Sequence, residues 1–319
     1  MTRHLFALVA GLLAAGSALA QVPVADHHQH GFSPAIIDLI KPGPTGPHQL
    51  LAADLIKHLD DAGIKRATLL STAYMFGKPG RAVENEYAKV RAENDWTGAQ
   101  AAQYPDRLRA FCGIAPFAQY ALEEIERCAR SPHLKHGIKL HLGNSDVQLE
   151  DPAHAERLRQ VFATANKNGM AIVVHMRASI SKKRPYGLEQ ARAFIEKVMP
   201  GAPDVPVQLA HMAGTGPGYD DPPSQAVTST IAEAVAKGDP RTKNLWFDVA
   251  SVANGATPEQ AALLARHIRQ VGVNRVLYGS DAAAGGNLAP REAWAAFRKI
   301  PLTDAEFATI ASNVAPYLR

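Results

Sequence analysis

Four histidines and one aspartate in this chain have the types and spacing of a metal site. In the stretch 26-DHHQH, Asp26, His28 and His30 fall at alternate positions, and in an extended chain alternate side chains share one face. Two imidazoles two residues apart at the end of a strand can grip a single ion. By itself such a pair is a weak sign, since short His-rich stretches occur by chance. The other candidates add weight: His175 closes the apolar run 171-AIVVH, His211 closes 207-VQLAH, and Asp281 follows 276-VLYGS. Imidazole and carboxylate without thiolate suit zinc, with manganese, iron or cobalt as substitutes. An ion held there lowers the pKa of its bound water towards ~7 and so supplies a nucleophile at neutral pH. Asp281 beside that water is placed to take up a proton and pass it on.

Such residues act together only if the fold brings their segments to one place. Short β-rich runs are predicted at 22–28, 66–71, 108–114, 137–141, 171–175, 207–211, 245–249 and 275–278. Between them lie helical patterns such as 50-LLAADLIKHLDDAG and 259-EQAALLARHIRQVG, which end in the glycine expected just past a helix C-terminus. Eight alternating units predict a (β/α)8 barrel over residues 21–319. An open doubly wound sheet is disfavoured because no phosphate-cradling G-x-G-x-x-G follows the first strand. In a barrel the chemistry sits at the C-terminal ends of the strands, where all five candidates are expected.

On these residues the sequence resembles the metal-dependent amidohydrolase superfamily, and more closely its amidohydrolase-related branch, which holds both hydrolases and decarboxylases. The family's first-strand HxH matches His28 and His30, its fifth- and sixth-strand histidines match His175 and His211, and its eighth-strand aspartate matches Asp281 within YGSD. The closing 312-SNVAPYL is similar to the family's Asn-x-x-x-x-Leu segment. The resemblance implies one ion or two. In two-ion members a carbamylated lysine on the fourth strand bridges the pair, and Lys139 stands at that position. In one-ion members His28, His30, His175 and Asp281 would bind, leaving His211 to polarise or protonate substrate. An unmodified Lys139 could instead bind a substrate carboxylate.

Tyr74, Arg177 and His141 lie next to predicted strand ends and are the candidates for substrate binding, Arg177 as a partner for a carboxylate. The main expectation is a metal-dependent hydrolase acting on an amide, ester or lactone carbonyl of a small molecule. The alternative is decarboxylation or another C–C cleavage of a carboxylic acid.

The chain of 319 residues has a formal charge of +4, with its basic residues scattered among acids. That distribution argues against nucleic acid as a partner. Homo-oligomerisation is left open. The opening MTRHLFALVAGLLAAGSALAQ has a basic residue, an apolar run and a closing Ala18-Leu19-Ala20, the pattern of a cleaved signal peptide over residues 1–20. A periplasmic or secreted protein that is free of the membrane after cleavage is therefore expected. Export would permit a disulfide between the two cysteines, Cys112 and Cys128. Their place in an apolar strand and on the helix after it reads instead as two buried free thiols.

Overall fold

Eight strands pair side by side in chain order, each parallel to the next, in a computed structural model that describes residues 21–319. The predicted signal peptide lies outside the described residues. The strands are β1 (Ala25–His30), β2 (Arg66–Leu70), β3 (Leu108–Gly113), β4 (Gly137–His141), β5 (Ala171–His175), β6 (Val207–Leu209), β7 (Leu245–Asp248) and β8 (Val276–Leu277). Two backbone bonds join the last strand region to the first and bring the sheet round on itself: His27 N–H to Tyr278 O at 2.9 Å and Asp281 N–H to His28 O at 2.8 Å. The result is a nearly closed (β/α)8 barrel, as the alternation of patterns predicts.

Helices cover the outside. They are α1 (Pro34–Ile40) and α2 (Ala52–Ala62) after β1, α3 (Glu86–Ala102), α4 (Ala121–Arg130), α5 (Pro152–Lys167), α6 (Leu188–Ala193), α7 (Pro222–Ala236) and α8 (Pro258–Val271) after the next six strands, and α9 (Pro290–Phe297) and α10 (Asp304–Ser312) after β8. Their ends carry the expected signals. Thr257 Oγ1 accepts from Gln260 N, and the Gln260 side chain accepts from Thr257 N in return, so two otherwise orphaned donors at the start of α8 are satisfied. Gly63 and Gly272, which end α2 and α8, have φ of 74° and 90°, a conformation that a Cβ would strain.

The floor of the barrel is closed by the C-terminal segment. Tyr317 packs edge-on against Phe111 and donates its hydroxyl to Gln208, beside the buried Leu70, Ala171 and Val173. A Cβ at Gly137 would clash with the Phe111 ring, so glycine is what lets β4 pass this plug. Asn313 donates to Val273 O and Val276 O and fixes the segment beneath β8.

The cysteines differ from the expectation. Cys112 on β3 and Cys128 on α4 form a disulfide, with Cα atoms 6.4 Å apart. The helix folds straight back onto its own strand and buries both side chains against each other, an adjacency that sequence separation does not reveal. No helix among the described residues is long and apolar enough to cross a membrane.

Candidate metal centre

β1 delivers the first two histidines through an irregularity. Its register against β2 slips between Asp26 and Gln29, which breaks the simple alternation. Asp26 is therefore not on the histidines' face, contrary to the expectation. It accepts from Ser280 Oγ and Gln29 Nε2, both at 2.7 Å, in the seam between β1 and β8. His28 and His30 are brought together, with Nε2 atoms 3.3 Å apart.

The ring orientations follow from what holds the other nitrogen. His28 Nδ1 lies 2.9 Å from Asp248 Oδ2, His30 Nδ1 2.8 Å from Leu70 O, and His211 Nδ1 2.9 Å from Ala250 O. A carbonyl or carboxylate can only accept, so each Nδ1 carries the proton and each Nε2 keeps its lone pair. Burial pushes all three imidazoles below their usual range, His28 to about 3 with the Lys139 charge adding to it, so they stay neutral.

His211 reaches the centre by a route the sequence does not announce. β6 ends at Leu209, and His211 does not close it. His211, Met212 and Ala213 instead form a left-handed turn with φ of 54°, 51° and 63°. Each such residue costs roughly 1–2 kcal/mol in a non-glycine chain. The turn is held by Asp248 Oδ1, which accepts the His211 N–H at 2.8 Å. Asp281 is likewise left-handed, at φ 56°. Its Oδ2 accepts from Asn287 Nδ2 at 3.1 Å, while its buried Oδ1 has no partner and lies 3.8 Å from His30 Nε2.

Ligand atoms of His28, His211 and Asp281 come within 4.8 Å of one another, and His30 adjoins two of them. Two lone-pair nitrogens 3.3 Å apart repel unless a positive charge lies between them. That spacing matches the edge of a tetrahedron with metal–nitrogen bonds of roughly 2.0–2.1 Å. Together with the orphaned carboxylate oxygen, the donor set fits a divalent ion.

Lys139, at 1% exposure, sits beneath this group with Nζ 3.2 Å from His28 Nε2. Burial lowers its pKa and raises that of Asp281, and the opposite charge of each limits the other's shift. In this geometry the amine donates directly to His28.

The remaining candidates divide. His175 stacks on His141 at 4.0 Å between centroids and stands 5.0 Å from the His211 ring, outside the tight group of ligand atoms. Tyr74 is buried with its ring 5.5 Å from that of His141. Arg177 is already paired: its guanidinium contacts Asp221 at 2.6 and 3.2 Å and lies over the Tyr186 ring at 4.8 Å. The cation expected to meet a substrate carboxylate thus already has a partner in Asp221, from the loop before α7.

Sequence reasoning missed Asp248. It is fully buried and binds the His28 ring, the His211 backbone and Gln208 Nε2, the last at 2.6 Å. Burial opposes its charge, yet His28 and His211 overcome that and hold it well below the usual carboxylate range. A carboxylate behind a ligating histidine fixes the ring and makes it a better donor. The available signal was an acid inside the apolar run 245-LWFDV.

The amidohydrolase profile matches residues 68–315, which takes in Lys139, His141, His175, His211 and Asp281. The chain belongs to the amidohydrolase family. The first-strand histidines precede the matched region. No curated protein matches the chain. Among solved structures it is similar to 5-carboxyvanillate decarboxylase from Sphingomonas paucimobilis, with 16% identity over 91% of this chain and 96% of that one and a TM-score of 0.63. It is also similar to a dihydroxybenzoic acid decarboxylase from Polaromonas sp. with bound manganese and 2-nitroresorcinol (16% identity, 91% and 95% covered, TM-score 0.62). A third is a probable 2-pyrone-4,6-dicarboxylic acid hydrolase from Acinetobacter baumannii (18% identity, 90% and 95% covered, TM-score 0.57). At these identities the likeness is one of fold.

Proposed function

We propose that this amidohydrolase-family protein is a metal-dependent enzyme that decarboxylates a small carboxylic acid. The observation that carries the reading is the buried Lys139 amine beside the candidate metal donors. A divalent ion, which His28, His30, His211 and Asp281 would hold, would together with the Lys139 ammonium outweigh the Asp281 and Asp248 carboxylates. A low-dielectric pocket of that sign draws an anion. The decarboxylases among the similar structures support the same choice over the hydrolysis expected from sequence.

When bound, the ion supplies Lewis acidity that polarises a substrate oxygen. The chain's residues do the rest. Lys139 orients the carboxylate, and the buried walls exclude water. The C–C bond breaks, its electron pair stays on the substrate carbon, and carbon dioxide leaves. The Asp281 carboxylate takes up a proton from solvent and passes it to that carbon. Zinc or manganese would suit these donors, and one ion is proposed, with Lys139 unmodified. Export is part of the proposal: mature protein should begin at Gln21, and a membrane-bound form retaining Arg3 would contradict it.

Hydrolysis is the second reading, favoured by the probable hydrolase among the similar structures. There Asp281 would take a proton from water instead of giving one to carbon. Incubating the metal-loaded protein with hydroxybenzoic acids, and separately with lactones and esters, tests the choice. Release of carbon dioxide is expected; turnover of lactones or esters with no carbon dioxide from any acid would overturn it.

A further inference from the structure

One imidazole at the mouth has the opposite polarity from the others. The backbone N–H of Asn144 points at His141 Nδ1 from 3.1 Å. An amide N–H can only donate, so Nδ1 accepts and the proton of the neutral ring is on Nε2. In His28, His30 and His211 the arrangement is reversed, since an oxygen acceptor faces each Nδ1. His141 therefore presents a donor where its neighbours present lone pairs. Among the described residues no protein group takes up that Nε2–H, and the residue is half-buried at the end of β4, two positions beyond Lys139.

Its orientation is fixed from several sides. The ring stacks on His175 with 13° between planes, and the Tyr74 ring lies 5.5 Å away. The turn that carries Asn144 is tied down by Ser145 N–H to His141 O at 3.0 Å and by Asn144 Nδ2 to Tyr74 O at 3.1 Å. A Cβ at Gly143 would meet Arg177 O at 2.8 Å, so the turn packs directly against the loop after β5. To turn its lone pair towards an ion, His141 would have to surrender the Asn144 bond.

We propose that His141 is the site's hydrogen-bond donor to substrate, a specificity residue that accepts an oxygen acceptor and discriminates against a cationic group. On the proposed function that acceptor is the substrate carboxylate. The donor role itself follows from the tautomer and does not depend on the reaction.

The test uses the metal-loaded protein with nitrogen-15-labelled histidine. Long-range proton–nitrogen correlation spectra should show His141 protonated at Nε2 and bare at Nδ1. A bare Nε2, or loss of metal in His141→Leu, would make the residue a ligand and overturn the proposal. Benzoate serves as the carboxylate probe. His141→Leu should weaken its binding roughly tenfold to a hundredfold, the worth of a hydrogen bond to a charged group. His141→Gln, which keeps an N–H near the Nε2 position, should recover most of the loss. Equal affinity in wild type and His141→Leu would overturn the contact. Failure of benzoate to bind the wild type would count against the carboxylate reading of function and against that acceptor, while the spectra still judge the tautomer.

Discussion

His27 and His28 are adjacent in the chain, and both are completely buried, yet they are used in opposite ways. His27 faces the floor of the barrel, where Nδ1 meets Tyr278 O at 3.0 Å and Nε2 accepts the Ala315 N–H at 3.1 Å. Both ring nitrogens are satisfied by backbone. His28 is held at Nδ1 by Asp248, and its Nε2 faces His30 and Lys139. The same contrast runs through the two ends of the barrel. At the floor, Gln208 bridges His27 O, Asp248 and the Tyr317 hydroxyl. In the loops after β4, β7 and β8, Ser145, Ser251, Asn254, Asp281 and Asn287 each carry a buried polar atom without a partner. Gln29, Arg66 and Thr68 on β1 and β2 carry the other three among the described residues. Buried polar groups in proteins are nearly always paired, and the orphaned Asp281 Oδ1 beside His30 marks where a ligand belongs. Histidine in a strand is not the signal; an imidazole with one nitrogen committed and the other waiting is.

The largest effect should separate the two neighbours. His28→Ala should abolish metal binding and, with it, turnover, while thermal unfolding changes less. His27→Ala should do the reverse: it leaves the Ala315 N–H without its buried partner, at about 1–3 kcal/mol, and keeps metal stoichiometry in the folded fraction. Metal analysis beside thermal melts checks both, and equal metal loss in the two variants would erase the distinction.

Asp281→Asn comes next. It keeps the shape of the orphaned group but removes its proton. Turnover should fall by ~10²–10⁴-fold, with some metal kept by the histidines. Near-normal turnover on an identified substrate would rule Asp281 out as the proton carrier.

The eight alternating units and the polar ends of their apolar runs were legible in the sequence, and β4 and β5 have the predicted bounds. What was hidden depends on contacts between segments. The slip in β1 that turns Asp26 away is set by pairing with β2. The left-handed turn at His211 contains no glycine, and it exists because Asp248, 37 residues later, captures its N–H. Asp248 lies inside an apolar run, and its partners His28 and His211 come from other segments. Arg177 looked free because its partner, Asp221, is 44 residues away in another loop.

Asp248→Asn should therefore have an intermediate effect, weakening metal binding by the roughly 10–100-fold typical of a group behind a ligating histidine. Isothermal titration with zinc or manganese measures it, and unchanged affinity would mean that the His28 ring needs no such support. The smallest effect belongs to the floor. Tyr317→Phe removes one hydroxyl bond to Gln208 and should cost about 0.5–1.5 kcal/mol in denaturant unfolding with metal affinity unaltered. A matching loss of metal affinity would show that the two ends of the barrel are not independent.

The central claim, that the mouth of this barrel is a metal centre, is tested most directly by anomalous diffraction at a metal edge from crystals grown with zinc or manganese. One peak is predicted, within bonding distance of Nε2 of His28, His30 and His211 and of Asp281 Oδ1, with the Lys139 amine displaced from His28. A metal-replete crystal with no peak there, and Lys139 still donating to His28 Nε2, would contradict the account.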